Sequence, residues 1–61
     1  MNYTIEECKE MIDLTEKAIE KEKLNLINAQ SEEEKQQILF KIKIGEIDIK
    51  YYKAKIIQLS N

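Results

Sequence analysis

The chain has 61 residues, with ten lysines against twelve acidic residues for a net charge of −2, and it lacks both histidine and arginine. A lone cysteine forbids an internal disulfide, and without histidine it leaves no plausible ligand set for a structural zinc. A chain this short buries only about 60% of its extended-chain surface, and ordering costs of roughly 1.5 kcal/mol per residue nearly cancel the return from apolar burial. Association with another chain is the remaining route to added stability.

Residue usage is narrow, with eleven Ile and no Val, Pro or Trp. The absence of proline suits long uninterrupted helices. The bias toward Ile and Lys points to an A/T-rich coding sequence, of the kind carried by low-G+C bacteria and their phages. The N-terminus is acidic and polar, where a secretory signal would be basic and then apolar. No stretch approaches the roughly 18 apolar residues of a membrane span. The expectation is a cytoplasmic protein with no membrane partner.

In chain order, the first start signal is Thr4-Ile5-Glu6-Glu7, a capping box in which Thr4 accepts from the Glu7 amide and Glu7 reaches back. Tyr3 and Cys8 flank the box at the two staple positions, and Glu6, Glu7 and Glu10 suit the positive end of a helix dipole. A mainly apolar ladder then recurs by threes and fours through Ile5, Cys8, Ile12, Thr15, Ile19, Glu22, Leu26 and Ala29, with Thr15 and Glu22 its polar members, as a helix burying one seam requires. Asn28-Ala29-Gln30 ends the pattern. Ser31-Glu32-Glu33-Glu34 is a second capping box, and it opens a second ladder: Ile38, Ile42, Gly45, Ile49, Tyr52, Ile56 and Leu59. Lys50, Lys53 and Lys55 fall in the second half of that segment, where cations suit the dipole.

Folded back on a short turn, the two ladders pair Ile5 with Ile56, Cys8 with Tyr52, Ile12 with Ile49, Thr15 with Gly45 and Ile19 with Ile42. The reading is an all-α fold, a single small domain over residues 1–61. It is an antiparallel helical hairpin with helices at about 5–29 and 32–59. Gly45 costs about 1 kcal/mol inside a helix, and facing Thr15 it makes a narrow waist. The same pairing sets Lys9 near Lys53 and Glu16 near Glu46, mildly unfavourable like-charge neighbours.

A rival pattern occupies residues 38–53. Phe40, Ile42 and Ile44 alternate with lysines, and Gly45-Glu46 suits a type II′ turn into Ile47, Ile49 and Tyr51. This alternative is an N-terminal helix followed by a β-hairpin at about 38–53. Helix is preferred, because the Ser31 cap launches one and the apolar ladder runs on through Gly45 to Leu59.

Chemistry has little to work with. The commonest general base is missing, the carboxylates fall at spacings typical of solvated helix faces, and the only glycine is Gly45, so there is no phosphate loop. Cys8 in a first helical turn admits a redox or inter-subunit disulfide role, against its plainer reading as a small core residue. No catalytic, cofactor-binding or metal residues are assigned, no cofactor is expected, and the chain reads as no enzyme.

The surplus is a second apolar stripe on the later segment, Phe40, Ile44, Ile47, Tyr51 and Ala54, roughly opposite its seam. Leu14, Leu24 and Ile27 also lie off the first seam. A lone hairpin cannot bury them, and patches of this extent mark binding surfaces. The expected partner is a second copy, making a homodimeric four-helix bundle, or another protein. The expected function is a small non-enzymatic interaction module, a regulator or inhibitor that binds another macromolecule through apolar helix faces.

Residues 1–34 carry a balance of −6 and residues 35–61 one of +4, which draws antiparallel helices together. The same asymmetry supports the alternative function, an RNA-binding dimeric hairpin using Lys41, Lys43, Lys50, Lys53 and Lys55 beside Tyr51 and Tyr52. Missing arginines, the net negative charge, and Glu46 and Asp48 among the lysines weigh against nucleic acid.

Overall fold

The computed structural model describes residues 3–61, and it is a helical hairpin: α1 spans Ile5–Ile27, α2 spans Glu32–Ser60, and the two pack along their length. Both halves of the first capping box form. Thr4 Oγ1 accepts from the Glu7 amide at 3.1 Å, and the Glu7 carboxylate accepts from the Thr4 amide at 2.9 Å. At the far end α1 tightens into its cap, as Asn28 N–H donates to the Asn25 carbonyl at 3.1 Å and Ala29 N–H to the Leu26 carbonyl at 3.2 Å. The Asn28 side chain donates to the Leu24 carbonyl at 3.3 Å, so carbonyls left open by the helix end find donors.

The second cap differs from expectation. Ser31 Oγ accepts from the Glu34 amide at 3.1 Å, but the Glu34 carboxylate takes the Gln30 N–H at 2.8 Å, one residue before the cap. Gln30 lies between the helices, where its N–H has no ladder partner, so the carboxylate ties down the turn and half of the expected box is missing. The lysines also sit differently against the dipole. Because α2 runs to Ser60, its last turn contains no basic residue. Lys50, Lys53 and Lys55 stand upstream of it, where the dipole's influence has largely faded.

The predicted seam is the observed one. Every residue of the first ladder is buried or half-buried, as are Ile38, Ile42, Gly45, Ile49, Tyr52 and Ile56 of the second. Leu59 departs from the expectation and is exposed, since it lies past the level of Ile5 where α1 begins. Ile19, Ile38 and Ile42 form the core cluster, with Leu26, Ala29 and Ile49 packed against it, while Cys8 is fully buried in the first turn of α1. The two polar seam residues are satisfied. Thr15 Oγ1 donates to the Met11 carbonyl at 2.7 Å. The Glu22 carboxylate accepts from the Asn25 side-chain Nδ2 at 2.9 Å and lies 3.8 Å from Lys41 Nζ across the hairpin.

The β-hairpin alternative at 38–53 is overturned: these residues are helical throughout, and no strand occurs among the described residues. The reason is the seam. Ile38, Ile42, Gly45 and Ile49 recur by threes and fours and present one face to α1, whereas a turn at Gly45 would remove half of that contact. A Cβ built on Gly45 would stand 2.8 Å from Ile19 Cγ1 and 2.9 Å from its Cδ1, with Thr15 Cγ2 at 3.5 Å. The expected waist therefore exists, and Ile19 of the same chain fills it.

This contact makes the effect of a substitution depend on its neighbour. Alanine at 45 gains about 1 kcal/mol in helix propensity but overpacks against Ile19, at roughly 1–3 kcal/mol. Gly45→Ala should lower the melting temperature in the wild-type background. In Ile19→Ala, where the obstructing atoms are gone, the same substitution should raise it.

Candidate interaction surface

At 100° per residue, the seam and the second stripe of α2 lie roughly 160° apart, so packing against α1 hides one and turns the other outward. Phe40 is 64% exposed, Ile44 43%, Ile47 57% and Tyr51 55%, and Ala54 is exposed beside them. On α1, Leu24 and Ile27 are exposed as neighbours three residues apart near the turn, and Leu14 is exposed about three turns away. The structure adds Leu39 and Ile57, exposed on a flank of α2 between seam and stripe. Sequence reasoning passed over them because they belong to neither ladder. Their position 18 residues apart, five full turns, was the available signal.

Charged residues occupy the flanks. Lys43 and Lys50 border one edge of the stripe, with Glu46 beside them in a shallow groove against Ile47, and Lys41, Asp48 and Lys55 border the other; Lys53 lies farther round, nearer the seam. All are exposed except the half-buried Lys55. Lys41 is drawn toward Glu22, so of the lysines proposed for nucleic acid, one already faces a carboxylate. Among the described residues this is the one ion pair between the helices; the other, Lys17 with Asp13 at 3.1 Å, lies within α1. Glu16 and Glu46 line one shallow groove beside Ile19 and Ile49, as the expected like-charge pairing implied, with Glu20 and Lys23 at its edge. Among the described residues no group of acidic or thiol side chains is placed to hold a metal ion. The Cys8 thiol has no exposed surface, so disulfide exchange through it requires that end of the hairpin to open.

The aromatic residues divide between the two faces. Tyr52 belongs to the seam, with its ring edge-on to Tyr3 at 5.6 Å and to Tyr51 at 5.3 Å. The adjacent Tyr3 phenol, followed by desolvation, raises the Tyr52 pKa above its ordinary value. The neutral phenol is thus the form the fold favours, and its contribution holds below the unfolded-state pKa and is lost as the pH rises through the folded one. Tyr51 stands on the stripe and reaches back to this cluster, linking the outer face to the open end of the hairpin.

The hairpin is elongated enough to leave much of its surface uncovered. It is a rod of 46 × 17 × 14 Å, with a radius of gyration of 14.0 Å, against about 10.5 Å for a compact domain of this length. Its accessible surface is 5077 Å², whereas a folded monomer of 7.2 kDa should expose about 4,100 Å². The excess, about 1,000 Å², is comparable with the roughly 800 Å² that one partner contributes to a standard protein interface.

Compared with known proteins, the chain matches no family model, no curated protein and no solved structure. No helix among the described residues is long and apolar enough to cross a membrane.

The two faces of α2 should answer differently to mutation. At dilutions where the melting temperature no longer depends on concentration, Ile42→Ala should cost about 2–5 kcal/mol. Ile44→Ser, on the outward face, should stay within about 0.5 kcal/mol of wild type.

Proposed function

We propose that this protein is a small non-enzymatic interaction module, a regulator or inhibitor that binds another macromolecule through the outward apolar stripe of α2. The single observation that carries the reading is the continuous exposure of Phe40, Ile44, Ile47 and Tyr51 on a helix whose opposite face is already packed. Scattered exposed apolar residues need no explanation, but a run of four at helical spacing forms one surface. The inventory of reactive groups supports the same class: the thiol is buried, and the carboxylates, Glu22 apart, lie on exposed helix positions.

Self-pairing through this stripe would give a two-fold dimer of four helices, and any polypeptide covering it would bury a comparable area. In either case folding is linked to association, so occupancy raises apparent stability by mass action. The proposed setting is the cytoplasm.

Ile47→Asp tests the reading at the centre of the stripe. A charge there leaves the hairpin seam untouched and removes the apolar continuity. Wild type should show either concentration-dependent sedimentation and melting or recovery of a partner in a pull-down, and Ile47→Asp should lose both. An unchanged profile for the variant would remove the stripe as the binding surface. Micromolar RNA or DNA binding that falls with salt and disappears in Lys50→Glu/Lys53→Glu would replace the reading with the nucleic-acid alternative.

A further inference from the structure

We infer that the occupant of the α2 stripe is an amphipathic helix of another protein with acidic residues flanking its own apolar face. This rests on the proposed role of the stripe as a binding surface and adds the chemistry of what it binds. The stripe runs from Phe40 to Ala54, about 21 Å at 1.5 Å per residue. Continued by the same spacing it reaches Gln37 at one end and Gln58 at the other, both polar and exposed, with Ile57 exposed on the flank beside Gln58. The apolar strip is therefore bounded, two heptads long, and sized for a helix of about four turns laid along it.

The rims decide the charge of that helix. In paired helices, the residues bordering an apolar strip meet the borders of the partner's strip. Here those borders hold Lys41, Lys43, Lys50 and Lys55 against Asp48 on one edge and Glu46, which shares a shallow groove with Lys43, Ile47 and Lys50, beside the other. Among the described residues, Lys43, Lys50 and Lys55 have no ion-pair partner. A second copy matches this rim poorly. In a parallel pairing, Lys43 meets Asp48 of the second copy, but Lys50 then meets Lys55. In the better antiparallel register, Lys41 meets Asp48 while Lys43 meets Lys50, and Lys41 must leave Glu22. Each orientation offsets an attraction with a repulsion. A helix bordered by Glu or Asp meets Lys43, Lys50 and Lys55 with opposite charge while Lys41 stays with Glu22, and Asp48 and Glu46 oppose it. Lysine stems also extend the apolar cover at the rim while their ammonium groups reach the partner's carboxylates.

Two labelled 18-residue peptides test this with the full-length protein. Both carry leucine at the same helical spacing; one has Glu at the flanking positions and the other Lys. Fluorescence anisotropy at low salt should give micromolar binding of the Glu-flanked peptide. The Lys-flanked one should bind on the order of tenfold more weakly, and the gap should shrink as salt is added. Lys43→Glu/Lys50→Glu should reverse the preference, and because both residues are exposed its helix content should match wild type. Equal binding of the two peptides would overturn the inference. So would binding only to vesicles of anionic phosphatidylglycerol. Self-association that Ile47→Asp abolishes, with neither peptide bound, would also overturn it and leave the stripe as a dimer surface. If Ile47→Asp changes nothing in any arm, the stripe is not a binding surface and the underlying reading fails as well.

Discussion

A helix with a single neighbour can bury only one face, and α2 carries apolar residues on two. Everything else in this molecule follows from that mismatch. The seam takes the residues that meet α1 at helical spacing, so the stripe 160° away is left in solvent whatever the details of packing. A third helix would cover it, and the described residues contain only two.

The seam prevails because it is the closer fit. Gly45 lets Ile19 approach to within a distance that any side chain at 45 would contest, and Ile38 and Ile42 complete a buried apolar cluster around that point. No residue on the stripe has an equivalent counterpart on α1, whose exposed apolar residues are Leu14 alone and the neighbours Leu24 and Ile27 near the turn. The polar members of the seam are also provided for locally, Thr15 by the Met11 carbonyl and Glu22 by Asn25 and Lys41. Few residues are fully buried, so the fold has little stability in reserve. Covering the stripe therefore bears on folding and on function together.

Much of this was legible in the residues. The capping boxes at Thr4 and Ser31 located both helix starts to the residue, and the spacing of Ile38, Ile42, Gly45 and Ile49 selected the buried face. The period-two alternation around Gly45 was a real signal for a hairpin, but it described residues 40–51 in isolation. The contact of Gly45 with Ile19, 26 residues earlier, is a tertiary constraint that local patterning does not contain. The diversion of Glu34 to the Gln30 amide was hidden for a similar reason, since it depends on the path of the turn. Leu59 read as seam because the ladder continues through it, while its exposure is set by where α1 begins. The stripe itself was visible by its spacing. The rims became interpretable only once the seam fixed which way they point.

The division of α2 into an inner and an outer face is the central claim, and methyl-resolved nuclear Overhauser effects test it most directly. In a sample dilute enough to be free of association, the Ile19 methyls should show strong cross-peaks to the Gly45 α-protons. The Ile44 and Ile47 methyls should show none to any residue of α1. Cross-peaks from Ile47 to α1, with Gly45 silent, would mean that α2 is rotated to pack its second stripe inward, and the division into seam and stripe would be wrong.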